Sequence, residues 1–161
     1  GLVNYVLVNI GILDKPYNFL TQPFAAKMVI LLGLLWRWTG YNMVFFLSGL
    51  QNIEYSVYEA AKIDGASAIQ TFFKITVPLL KPTILLTAIM STNGTLQLFD
   101  ESVNLTDGGP ANASISMSHY IYNLCFKYVP NFGYAAAMSF FILLLVAVLA
   151  FIQMRVGDKR D

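Results

Sequence analysis

Within the stretch Glu59–Leu80 a carboxylate stands directly before two alanines, Glu59-Ala60-Ala61, and Gly65 follows four residues later. Small side chains let a helix backbone approach a partner closely, and the carboxylate supplies a directional, charge-assisted contact. That composition suits a knob inserted into a cleft of another protein. It equally suits a helical hairpin lying on lipid headgroups, and the residues alone leave both readings open. A second set of polar side chains interrupts an apolar run: Ser91, Thr92, Asn93, Thr95 and Gln97, with Gly94 among them to loosen the helix. Ser91, Thr95 and Leu98 follow a four-then-three spacing and share one helix face. Trp38, Tyr41 and Asn42 interrupt another apolar run upstream. Amides and hydroxyls bind hydroxyl groups, and aromatic faces bind the C–H faces of sugar rings. These residues are therefore candidates for a substrate path. In the competing reading Ser91, Thr92 and Asn93 are interhelical glue, and Trp38 equally fits an interfacial belt.

The elements that must position these groups are membrane helices. The chain is 57% apolar and only 12% charged, against about 25% charged in a soluble domain. A net charge of +1 gives no bulk attraction for nucleic acid. The single Cys125 excludes an intrachain disulfide framework and a cysteine-based zinc site, and it reads as a small packing residue. Spanning helices need about 20 mostly apolar residues. They are expected over about 28–50, 79–99 and 135–154, an all-α transmembrane fold with three spans. The third is the clearest and the most lipid-exposed. The first two are too polar to face lipid all round.

Lysine and arginine counts set the orientation. Lys62 and Lys74 lie between spans one and two, with Lys81 at the edge of that loop, and Arg155, Lys159 and Arg160 follow span three. The connection 100–132 holds Lys127 against Asp100, Glu101 and Asp107. The segment 54–78 and the C-terminus are therefore expected in the cytoplasm, with residues 1–27 and 100–132 outside. Gly65 suits the position after a helix, Ser67 and Gln70 form a capping box for a second short helix, and Pro78 is expected to end it. On the outer side Thr106-Asp107-Gly108-Gly109-Pro110 signals a turn, and 115–128 reads as an amphipathic helix with His119 on its polar face. Arg37 is expected to snorkel or to pair with an acid of a partner subunit. Asp100 and Glu101 stand at the outer mouth, solvated or touching an external solute receptor. Three Asn-X-Ser/Thr triplets, at Asn93, Asn104 and Asn112, are short enough to arise by chance and are read as unmodified.

Glu59-Ala60-Ala61, three residues, Gly65, nine residues, Ile75-Thr76-Val77-Pro78 resembles the EAA loop of binding-protein-dependent ABC importer permeases, with valine where leucine is usual. Trp36-Arg37-Trp38, Leu50-Gln51-Asn52-Ile53, Asp64-Gly65-Ala66, Pro78-Leu79-Leu80-Lys81-Pro82 and Leu105-Thr106-Asp107-Gly108-Gly109-Pro110 extend the likeness. They point to the carbohydrate-importing branch and its maltose-permease-like first subunit, with the MetI-like fold. The resemblance covers essentially the whole chain and implies a C-terminal part of a subunit with additional N-terminal spans. It implies that Glu59, Ala60, Ala61, Asp64 and Gly65 couple to a cytoplasmic ATPase, with Glu59 making the polar contact. ATP and Mg²⁺ would be bound by that partner; this chain would hold no cofactor or metal, and it carries no glycine-rich phosphate loop of its own. The implied partners are two ATPase subunits, a second permease subunit in a heterodimer, an extracytoplasmic sugar-binding protein and the lipid of a bacterial inner membrane. Ser91 and Tyr41 match sugar-binding positions of the maltose permeases; Thr95 and Leu98 stand where those relatives use asparagines, which leaves the sugar open.

Two rivals are weighed against this reading. An ion-coupled secondary transporter needs a buried acid pair or proton relay, and spans one and three contain no acid. An importer of a non-sugar solute shares the docking segment, but the Gly-Gly-Pro loop and the aromatic-plus-amide path favour sugar.

Overall fold

The computed structural model describes residues 1–157, and all regular elements among them are helices. Lys159 and Arg160, two of the charges used for orientation, lie outside the described residues. A short helix α1 (Leu2–Asn9) precedes the long α2 (Pro23–Gln51). Pro23 opens α2 in the first turn, where a missing N–H costs nothing. Its 29 residues extend about 44 Å at the helical rise and enclose the expected span 28–50.

The following segment is shaped by local signals. α3 (Tyr55–Ile63) ends where Gly65 takes φ +76°. Gly65 N–H donates to Lys62 O at 3.1 Å and Ala66 N–H to Ala61 O at 3.0 Å, the pair of bonds that closes a helix through a left-handed glycine. Ser67 then caps α4 (Ala68–Thr71), its Oγ accepting from Gln70 N–H while the Gln70 side chain accepts from Ser67 N–H. The Tyr58 and Thr76 hydroxyls, 3.2 Å apart, tie α3 to the π-helical turn Phe72–Thr76 that extends α4.

Pro78 does not end this helix. It sits inside the further turn α5 (Val77–Leu79), because the wider π turn before it absorbs the missing N–H. The break falls at Leu80, beyond which α6 (Lys81–Leu96) leaves at 65°. Pro78 and Pro82 stand four apart, so the ring of Pro82 opposes the carbonyl of Pro78 and removes the bond that would bridge the bend.

The expected span 79–99 is accordingly shorter. α6 has 16 residues, about 24 Å at the helical rise, less than a hydrocarbon core of about 30 Å. Among the described residues only α2 and α8 (Phe132–Gly157) are each long and apolar enough to cross; a third crossing arises if the bent pair Ala68–Leu79 and Lys81–Leu96 counts as one span. α8 encloses the expected 135–154. It is no more uncovered than α2, since 11% of the apolar window of each is buried.

α6 packs between α2 and α8. At the α2 contact Gly49 permits the approach: a Cβ there would lie 2.8 Å from the Thr83 hydroxyl oxygen and 2.9 Å from Leu80. Thr87, 4% exposed, turns its hydroxyl back onto Thr83 O and Ile84 O, the usual way a helix hides a threonine from apolar surroundings.

The α6–α8 connection folds into a compact knot. After a π-helical turn, Ser102–Thr106, the backbone turns through left-handed Asp107 and Gly108, and again at Ala111 and Asn112. The expected helix 115–128 starts at Met117, capped by Ser116, and runs as α7 (Met117–Tyr122) into a π turn Asn123–Lys127. His119 is not on an exposed polar face: it is 1% exposed. Its Nδ1 lies 2.9 Å from Ser102 Oγ, which also donates to Ser114 O at 2.9 Å and accepts from Ser116 N–H at 3.2 Å. The spacing pattern marks a helix here but carries no sign that its histidine is claimed by a serine 17 positions upstream.

Candidate functional site

Two places gather the predicted residues. In the first, α3 and the turn after it, Glu59, Ala60, Asp64 and Gly65 are exposed. Ala61 is not: at 6% exposure it faces the chain's own interior. Neighbouring helix positions are separated by about 100°, so the two alanines serve different surfaces. Ala61 lies three residues from Tyr58 on the inner face that bonds Thr76. Only Ala60 is available for a close outside contact. Within the same segment Ile63 is 85%, Ile69 73% and Phe73 65% exposed. Ile63 went unremarked in the sequence reading, although it follows Glu59 by four and therefore shares its face.

In the second place α2 and α6 meet. The Trp38 indole lies over Gly94 so closely that a Cβ there would fall 2.2 Å from its Cζ2. Gly94 thus acts as a seat for a ring and does not loosen the helix. Trp38 and Tyr41 ring centroids are 6.0 Å apart, and Tyr41 is 59% exposed. Among the described residues Trp38 Nε1 is buried without a hydrogen-bond partner. Ser91 and the Asn42 amide exchange contacts at 3.4 Å, while Thr92 Oγ1 accepts from Gln153 Nε2 of α8 at 2.8 Å. Both hydroxyls therefore link helices in this structure.

The six predicted path residues divide between two faces. Trp38, Tyr41, Ser91 and Thr95 lie on the α2 side, Thr95 by its four-residue spacing from Ser91. Asn93 lies about 200° round α6 from Ser91 and pairs at 2.7 Å with Gln97, which stands just past the helix end at Leu96. Gln97 borders a separate cavity of about 330 Å³, shared with Ser118 of α7 and Ser139 of α8. Sequence reasoning missed those two serines, since neither lies in a run with other polar path residues.

Arg37 finds its acid within the chain, not in a partner subunit. Its Nη1 lies 2.8 Å from Glu101 Oε1, and its guanidinium carbon is 5.5 Å from the Trp38 ring centroid. Glu101, with its side chain 11% exposed, is folded inward and is not free at the mouth; Asp100 is exposed. A lone cation at the middle of a membrane helix is costly, so the carboxylate is drawn to it.

In the knot below, Asp107 receives Lys127 Nζ at 3.1 and 3.3 Å and stands 3.8 Å from His119 Nε2. Burial pushes the His119 imidazole below its ordinary value; Asp107 pulls it back upward and Lys127 adds to the depression. Ser102, His119 and Asp107 have the residue types of a nucleophilic triad, but Ser102 is 0% exposed and its hydroxyl serves the backbone, so no substrate reaches it.

Residues 2–160 match the model of a family described as binding-protein-dependent transport system inner membrane component. The chain is 54% identical over 162 residues to the lactose transport system permease protein LacF of Rhizobium radiobacter, covering 99% of this chain and 54% of that protein. It is 36% identical over 160 residues to the trehalose/maltose transport system permease protein MalF of Thermococcus litoralis, covering 99% and 53%. A solved bacterial ABC transporter involved in importing the acidic polysaccharide alginate superposes with a TM-score of 0.82 at 26% identity, over 98% of this chain and 54% of that one. The chain thus spans about half the length of the curated relatives it matches. With the match running over nearly all of its residues, the chain belongs to the family of binding-protein-dependent transport system inner membrane components.

Proposed function

We propose that this chain is part of a permease subunit of an ATP-driven sugar importer, in a bacterial cytoplasmic membrane, and that it receives its driving force through α3 and the turn at Gly65. The observation that carries this reading is the exposed surface of Glu59, Ala60, Asp64 and Gly65 on a rigid helical turn, in a chain of this family. Its carboxylate, small residue and flanking Ile63 suit a groove on an ATPase subunit. That partner would bind ATP and Mg²⁺, and two copies of it, a second permease subunit and an extracytoplasmic binding protein would complete the transporter. The α3–α4 segment and the end of α8 are assigned to the cytoplasm, and the knot between α6 and α8 to the outside. The sugar assignment draws support from the permease relatives for lactose and for trehalose and maltose, and from the aromatic pair Trp38–Tyr41 beside Ser91 and Thr95.

Radiolabelled sugar uptake in cells carrying the whole transporter tests the coupling. Glu59→Ala and Gly65→Pro are expected to abolish uptake while the subunit is made and inserted normally. Unchanged uptake at normal expression would remove α3 from the coupling role. Replacing Tyr41 and Ser91 by alanine tests the path; intact affinity and rate would place the sugar elsewhere.

A further inference from the structure

Arg37 is the midpoint of α2, with 14 residues of helix on either side of it between Pro23 and Gln51. It borders an open cavity of about 450 Å³ with Trp36, Gly40, Tyr41 and Val44. A free guanidinium there would make this cavity an anion site, since it forks onto carboxylates better than any other side chain. It is not free. Glu101 Oε1 sits 2.8 Å from Nη1, and the Trp38 ring lies under the guanidinium at 5.5 Å. Two different partners therefore fix one position for the cation. Arg37 is the single hydrogen-bonding or ionic partner of the Glu101 carboxylate among the described residues, whose other oxygen is buried and unpartnered.

We propose that the Arg37–Glu101 pair is a charge filter that restricts the path to uncharged sugars. The inference rests on the sugar reading above and deepens it. A neutral sugar stacking on Tyr41 meets a cavity wall with no net charge. A uronate sugar meets a guanidinium already engaged and a fixed carboxylate behind it, and it must leave its hydration without gaining an ion pair. An amino sugar is refused by the same logic with the signs exchanged. The pair joins α2 to the segment that follows α6, so the selectivity depends on two elements 64 residues apart in sequence (101 minus 37).

The test is equilibrium binding of three probes to the purified whole transporter, at low and raised salt. The probes are lactose, a galacturonate disaccharide and a glucosamine disaccharide. The native complex should bind lactose at least about tenfold tighter than either charged probe, the scale set by one uncompensated charge near a surface. Glu101→Gln should release Arg37 and raise galacturonate affinity about tenfold, with the gain falling as salt screens it. Arg37→Gln should instead favour the glucosamine probe, and the double variant should return the preference for lactose. Because the two single variants move in opposite directions, a folding defect in one leaves the other to decide. Equal binding of charged and neutral probes by the native complex, or lactose binding with unchanged preferences in a correctly assembled single variant, would overturn the filter alone. A native complex that binds none of the three, nor maltose or trehalose, would overturn the sugar reading and the filter with it.

Discussion

The two connections at the ends of α6 use similar residue types and bury them oppositely. In the segment before α6, Glu59, Lys62, Asp64, Ser67 and Gln70 are all exposed, and apart from the Tyr58–Thr76 contact the hydrogen bonds that shape it close within a few residues. In the segment after α6, Ser102, Ser114, His119 and Asn123 are all buried, and the central serine joins residues 12 to 17 positions away. A segment held by short-range bonds keeps its side chains free for a partner. A segment whose central polar groups, Ser102, Ser114 and His119, bond within it has little left to offer one, and it carries Glu101 against Arg37 instead. The contrast accords with the two proposals above, a chain driven from one end and selecting near the other.

Substitutions break this comparison in order of size. Ser102→Ala removes the group shared by Ser114 O, Ser116 N–H and His119 Nδ1. Each buried group left unpaired costs about 1–3 kcal/mol, so the melting temperature of the solubilised subunit should fall by several degrees or the subunit should fail to accumulate. A variant that melts like the native protein would show the knot to be looser than the distances imply. Gly94→Ala pushes a methyl into the Trp38 indole at 2.2 Å. Overpacking of this kind costs about 1–3 kcal/mol, and displacement of the ring should shift the tryptophan emission and cut uptake; an unmoved spectrum would place the indole elsewhere.

Acid sharpens the same contrast. Burial holds His119 below its ordinary value of 6.5, so the native state favours the neutral ring. The unfolded chain then binds the proton first: the stability is intact above about 6.5 and is lost as pH falls through the unfolded value toward the lowered native one. Thermal melts across that window should show a decline that His119→Gln flattens, whereas Glu59→Ala should leave the curve in place. The smallest structural effect is expected at Glu59 itself. An exposed side chain with no bond among the described residues changes stability by less than about 0.5 kcal/mol on truncation; uptake, not melting, should register its loss.

The capping box at Ser67, the left-handed Gly65 and the three apolar runs were legible in the sequence because each depends on residues within one or two turns of each other. The same holds for the turn at 106–110. Legibility failed where a residue's partner lay far along the chain. Nothing near His119 announces Ser102, and nothing near Arg37 announces Glu101. Alanines 60 and 61 are alike as residues, and only the packing of α3 onto the π turn at Thr76 sends one inward. Pro78 is a helix breaker by local rule, yet a widened turn accommodates it and moves the bend to Leu80.

The sequence by itself therefore determined the helical elements, their apolar surfaces and the turn at Gly65, since periodicity and capping act over a few residues and need no neighbouring element. The tertiary structure alone decided which polar groups stay available. It seated Trp38 on Gly94, separated Asn93 and Gln97 from the predicted path residues on the α2 side and neutralised Arg37 with Glu101. Burying a polar or charged group is costly until a partner reaches it, and which partner can reach it is a matter of how α2, α6 and the knot pack.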